Sequence, residues 1–131
     1  MILRIAEKTC LLIVAAATLC LLLGLSTPSG ADAKNAELIR MLNCDDRDRR
    51  CTAAQQLGER GLEDAVEPLI ERLKVEKDYS VRIVIAKSLL KIGDPQAIPV
   101  LKDLAKNDKN RTVRHLAKVI AAEMEKLAAT P

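Results

Sequence analysis

The sequence predicts an all-α protein: an α-solenoid of about three stacked helical hairpins behind an N-terminal export signal. Three observations predict it. Blocks of similar sequence recur at a fixed interval, around Arg50, Arg82 and Arg114, which is the self-similarity of repeat architectures. Apolar residues follow the i, i+3, i+4, i+7 spacing of a buried helix face, and no segment shows the strict alternation of a half-buried strand. Finally, Leu11 to Leu25 is an uncharged apolar run placed after Arg4 and Lys8.

Composition narrows the functions open to such a fold. With 131 residues, 49% hydrophobic, 30% charged and a net charge of +3, the chain has apolar surface enough for one small domain and is neither collagen-like nor disordered. Tyr79 is the single aromatic residue, which leaves no material for base-stacking platforms or aromatic cages. His115 is the single histidine, so chemistry needing two imidazoles is excluded within one chain. There is no G-x-G-x-x-G, phosphate loop, H-E-x-x-H or G-x-S-x-G. No catalytic residue, metal or cofactor is expected.

The first element is the address. Its apolar core of about 15 residues is short for a bilayer span, which needs roughly 20, and Gly24, Ser26, Pro28 and Gly30 follow it. Small Ala31 and Ala33 then mark a cleavage site with Lys34 as the first mature residue. Residues 1–33 read as a signal peptide and residues 34–131 as the mature domain, periplasmic or secreted. The alternative is an uncleaved anchor, lengthened by Leu3 and Ile5, that faces the mature domain to the periplasm. Cys20 is no lipidation site, because bulky Leu19 precedes it and the apolar run continues beyond it.

Three units follow, roughly 34–61, 62–93 and 94–128, each with two helices. Leu38, Met41 and Leu42 stripe the first helix, the Asp45-Asp46 pair turns the chain, and Ala53, Ala54 and Leu57 stripe the second. In the next unit Asp64 is a candidate cap, with Pro68 in the first turn and Val66, Leu69, Ile70 and Leu73 on one face. Residues 77–80 interrupt that pattern, and Val81, Ile85, Leu89 and Ile92 form a stripe that ends at Gly93. The last unit offers Ile98, Leu101 and Ala105, a break over 107–111, and then Val113, Ala117, Ile120, Ala121 and Met124.

Cys44 and Cys51 are the only cysteines of the mature domain. One continuous helix would separate them by about 10 Å along its axis, too far for a disulfide, so a bridge requires the chain to turn at Asp45-Asp46. Cys44 is therefore expected to end one helix and Cys51 to lie in the first turns of the next. An oxidising compartment favours the bridge; two free thiols are the alternative.

The repeat register is explicit. Arg50, Arg82 and Arg114 are evenly spaced, and the same interval separates Asp46, Asp78 and Asn110, and Gly61 from Gly93. The pattern V-R-x-x-A-A-x-A-L-x-x-I-G, with an Asp four residues before the Arg and a short helix with an early Pro after it, resembles the HEAT-like repeats, particularly the short type named after the phycobilisome lyases. The resemblance covers residues 36–125. It departs at Arg49, at Lys118 and at the missing glycine of the last unit, as suits end units whose outer faces meet water. It implies an armadillo-type superhelix whose second helices line the inner face. Family enzymes that perform diiron hydroxylation are similar in fold only, because their His-Glu pairs are missing here. A role in tetrapyrrole attachment is the other implication, opposed by the small number of units and by the export signal.

The three arginines read as a structural ladder, with Asp46 and Arg50, and Asp78 and Arg82, as i, i+4 partners that cap the helix and tie neighbouring units. Positions the pattern leaves unconstrained are the contact candidates: Cys51, Thr52 and Gln55 in the first unit, Ile83, Val84, Lys87 and Lys91 in the second, and His115, Leu116 and Val119 in the third, with Ile83, Val84, Lys87, Lys91, His115 and Leu116 as the partner-binding surface. Of these, Ile83, Val84 and Leu116 form an apolar patch edged by Lys87, Lys91 and His115, suited to an acidic protein partner. The competing reading packs them against neighbouring helices or a second copy. The domain is electrically polar, net −3 over residues 34–71 and +6 over 72–131. A total of +3 is weak for nucleic acid, and no nucleic-acid partner is expected. The reading is an exported, noncatalytic scaffold, with the membrane involved only through residues 1–33 if these are retained.

Overall fold

The structure, a computed structural model, describes residues 30–131; the expected export signal, apart from its expected cleavage site, lies outside them. Lys34–Pro131 form one compact unit. Among the described residues there are six α-helices and no strand: α1 (Gly30–Leu42), α2 (Arg47–Glu59), α3 (Val66–Val75), α4 (Tyr79–Ile92), α5 (Ile98–Asn107) and α6 (Arg111–Ala129). Short 3-10 turns, Glu63–Ala65 and Pro95–Ala97, lead into α3 and α5. Three hairpins result, and their second helices stack in sequence, α2 on α4 and α4 on α6, while α3 packs on α4 and α5 on α6. This is the all-α solenoid that the sequence period predicts.

The helix boundaries follow from local chemistry. Asp46, Asp78 and Asn110 open α2, α4 and α6 in extended backbone with their side chains turned back onto helix amides. That satisfies donors that have no partner within the helix. Asp64 does not cap α3: the 3-10 turn puts Ala65 at that position, and no side chain caps it. Asp94 instead caps the equivalent turn before α5, accepting from the Gln96 N–H at 2.8 Å. Gly93 ends α4 at φ 77°, a left-handed backbone that a Cβ disfavours, and its N–H donates to the Leu89 carbonyl at 3.0 Å. The last unit has Glu125 where Gly61 and Gly93 stand, and α6 runs on through that position to Ala129.

Leu42, Leu57, Leu69, Val81, Ile85, Leu89, Leu101, Val113 and Met124 are fully enclosed. The helix α2 is polar around most of its circumference and buries mainly Ala53, Ala54, Leu57 and Gly58 against the stack. Small side chains let it approach α4 closely, so that a Cβ on Gly58 would come within 2.7 Å of the Cα and Cβ of Ser88. Ser88 is buried and donates its hydroxyl to the Val84 carbonyl at 2.9 Å. Across the described residues no buried side-chain nitrogen or oxygen is left without a hydrogen bond. No described helix is long and apolar enough to cross a membrane.

Candidate functional site

One construction is repeated where each second helix begins. The Asp46 carboxylate accepts from the Arg49 N–H at 2.9 Å, Asp78 from Ser80 and Val81 at 2.8 and 3.4 Å, and Asn110 from Thr112 and Val113 at 2.8 and 3.3 Å. The arginine four residues on points elsewhere. Through Nη1, Arg50 donates to the carbonyls of Cys44 and Asp45 at 3.1 and 2.7 Å. Arg82 donates in the same way to Glu76 and Lys77 at 3.1 and 2.9 Å, and Arg114 to Asp108 and Lys109 at 2.7 and 3.2 Å. These carbonyls recur at the period of the repeat, so all three guanidinium groups are held alike.

With Nη1 so fixed, the Nε and Nη2 edge faces the following unit. Arg50 grips Glu76 there at 2.8 and 3.1 Å, and Arg82 grips Asp108 at 2.7 and 2.9 Å. The expected i, i+4 pairs are therefore corrected: each cap is turned to its own helix amides, and the ladder runs between hairpins. The fork's two parallel N–H donors match a carboxylate met edge-on from the next hairpin, which a cap already committed to its helix cannot offer. Glu76 and Asp108 were not singled out by sequence, although they share the repeat register and stand two positions before each cap. Each also fixes its own turn, Glu76 by accepting from the Asp78 N–H at 2.9 Å and Asp108 from the Asn110 N–H at 2.7 Å.

The first rung is the most heavily charged. Arg72 donates to the same Glu76 oxygen through Nε at 2.9 Å and Nη2 at 2.7 Å, and the Glu76 side chain is 1% exposed. Burial alone would raise its pKa. The hydrogen bonds from Arg50, from the Asp78 amide and from Arg72 outweigh burial and hold the carboxyl at about 2. The same pairing raises the pKa of Arg50 against its own burial.

The contact candidates of the second helices fall into rows set by the repeat. Val84 and Leu116 are half-buried and pack against the core, and Ile83 is half-buried. Lys87, Lys91 and His115 are exposed, with Lys91 Nζ 3.8 Å from Glu59 on α2. The apolar members are thus partly covered and the charged ones open. Val119 follows Gln55 and Lys87 in the same row and is 53% exposed, an outward apolar side chain.

Cys44 and Cys51 lie as expected, one just beyond α1 and one in the second turn of α2. They are nevertheless free thiols, so the turn does not close into a disulfide here. Cys44 Sγ donates to the Asp46 carbonyl at 3.5 Å, and burial pushes the Cys51 thiol up in pKa. Cys44 also occupies the register position of Glu76 and Asp108. No arginine rung precedes it among the described residues, so this position has no described guanidinium to hold.

An open groove of about 850 Å³ lies where the second and third hairpins turn. Its lining combines Val75, Tyr79, Val100 and Leu104 with Lys74, Lys77 and Lys109. Val75 and Tyr79 are more than half exposed there, and neither is among the contact candidates read from the sequence. Among the described residues no group of three or more His, Cys, Asp or Glu is placed to hold a metal ion.

Comparison with known proteins agrees with this geometry. The HEAT repeats family matches residues 35–121. The phycocyanobilin lyase subunit alpha of Picosynechococcus sp. is 51% identical over 55 residues, which are 42% of this chain and 20% of that protein. This chain thus spans about a fifth of the length of that curated relative. All three arginines of the ladder fall inside residues 35–121, which the family matches, and the chain belongs to the HEAT-repeat family.

Proposed function

We propose that the chain is a noncatalytic scaffold whose second helices present a firm surface to another protein, exported to the periplasm or cell envelope. One observation carries this reading. The most strongly perturbed carboxylate, Glu76, is held between Arg50 and Arg72 in a buried rung that locks hairpins together, and so serves architecture. What faces outward along α2, α4 and α6 is a set of rows, Gln55–Lys87–Val119 and Glu59–Lys91–Glu123, whose mixed chemistry suits protein recognition. The rungs fix the spacing of these rows, which lowers the ordering cost of binding. The apolar run before Lys34 supports export; a form that keeps residues 1–33 as a tether would present the same surface.

Photo-crosslinking in cells tests the reading, with the crosslinker at Val119 on α6 or at Glu71 on α3. Recovery of one protein from position 119 and not from 71 is the expected result. Identical products from both positions would remove the inner-face assignment. The mass of the N-terminal peptide distinguishes cleavage before Lys34 from retention of the tether.

A second reading, an accessory of bilin attachment, rests on the identity to the lyase subunit over 55 residues. The groove beside Tyr79 is the place where an open-chain tetrapyrrole would lie, its carboxylates towards Lys74, Lys77 or Lys109. Addition of phycocyanobilin to the purified chain, followed by its absorption spectrum, decides the matter: an unshifted spectrum dismisses this reading.

A further inference from the structure

The ladder has three arginines and two described carboxylates. Arg114 Nη1 is bonded to the Asp108 and Lys109 carbonyls as Arg50 and Arg82 are bonded to theirs, yet among the described residues its Nε and Nη2 have no hydrogen-bond partner. The fork is oriented by those two carbonyls and half-buried, and among the described residues its recognition edge is unmatched. Two filled copies of the same site in this molecule show what it takes: a carboxylate approached edge-on, at 2.7 to 3.1 Å.

The surroundings of Arg114 reinforce that preference. Lys118, one turn along α6, is exposed where the equivalent Ala54 and Ala86 are buried. Arg111 and Lys109 are near in sequence, and Asp108, the acid next to Lys109, is engaged by Arg82 and the Asn110 amide. Lys118 thus sets a second cation one turn from the fork, where the other two second helices carry alanine. We propose that the Arg114 edge of α6 binds an acidic segment of a partner protein, one carboxylate seated in the Arg114 fork and a neighbouring acid on Lys118.

This end-on site is separate from the inner-face rows, and the test separates the two. The full chain is titrated with a fluorescent hexaglutamate peptide, and the Arg Nε–H signals are followed by nitrogen-15 NMR in parallel. The Arg114 signal is expected to move while those of Arg50 and Arg82, already paired, stay in place. Arg114→Lys keeps the charge and loses the fork, and is expected to weaken the peptide at least tenfold. Lys87→Ala and Lys91→Ala, on the inner face, are expected to leave it within twofold. Equal binding by Arg114→Lys, or loss in the inner-face variants as large as in Arg114→Lys, would overturn the proposal. So would acetate shifting the Arg114 signal as strongly as the peptide at equal carboxylate concentration, since that is a small-anion site. Unchanged Arg50 and Arg82 signals in every variant certify that the stack is intact.

Discussion

Arg50 of the first hairpin and Glu76 of the second are joined by two parallel hydrogen bonds, Nε to Oε2 and Nη2 to Oε1, although 26 residues separate them. Both side chains are largely withdrawn from water, at 10% and 1% exposure. A buried pair can be close to neutral overall against a well-packed apolar replacement, yet breaking one partner leaves an uncompensated charge. Glu76→Ala is therefore expected to lower unfolding free energy by about 3 to 5 kcal/mol, because it strands Arg50 and Arg72 together. Arg50→Ala should cost less in the Glu76→Ala background than alone, with a coupling of about 0.5 to 3 kcal/mol in urea unfolding. Strict additivity would deny that the rung joins the hairpins.

The same carboxylate sets a pH dependence. The folded-state pKa of Glu76, about 2, lies below the ordinary 4.5 that an unfolded glutamate has. The unfolded chain therefore takes up this proton first as pH falls. The stabilisation is complete above about pH 4.5 and is lost progressively between 4.5 and 2, amounting to about 3 kcal/mol at the plateau. Urea midpoints measured across that window should fall in the wild type and fall less steeply in Glu76→Gln. Parallel pH profiles for the two would show that another group governs acid unfolding.

The repeat made the hairpins readable, because Arg50, Arg82 and Arg114 share a register with the caps and with Gly61 and Gly93. The partners of those arginines were less readable. Side chains four apart on a helix are the nearest candidates in sequence, and Asp46 and Asp78 occupy those positions, but their oxygens are turned onto helix amides. The true partners lie across a hairpin boundary, where only the second-order coincidence of Glu76 and Asp108, one repeat apart, announces them. The contact surface was blurred for a related reason. Periodicity identifies the stripe that faces the core, whereas Val84 and Leu116 sit at its margin, where depth of burial depends on how closely neighbouring helices approach.

That closeness is itself testable at Gly58. Alanine normally favours a helix over glycine by about 1 kcal/mol. Here the added methyl would meet Ser88 Cα and Cβ, each at 2.7 Å, so α2 and α4 must separate. Gly58→Ala is expected to destabilise by about 1 to 3 kcal/mol despite its better propensity. Ser88→Ala should give no rescue, because the obstructing atoms are Cα and Cβ as well as the hydroxyl. A stabilised Gly58→Ala variant would mean that the helices cross farther apart.

Cys51 offers a check on packing at the same helix. Burial raises its thiol pKa, so less thiolate is available at neutral pH than on an open chain. Neighbouring Arg47 and Arg50 favour the thiolate, but the former is bonded to Asp48 and the latter to Glu76, which limits their effect. Peptide-resolved alkylation with iodoacetamide at pH 7.5 is expected to label Cys51 several-fold more slowly in the folded chain than in urea. Glu76→Ala frees Arg50 from its carboxylate and loosens the turn, so it should bring the Cys51 rate towards the unfolded value. A folded wild-type rate equal to that in urea would mean that Cys51 stands open to solvent and that α2 is less closely seated than its buried Ala53, Ala54 and Leu57 imply.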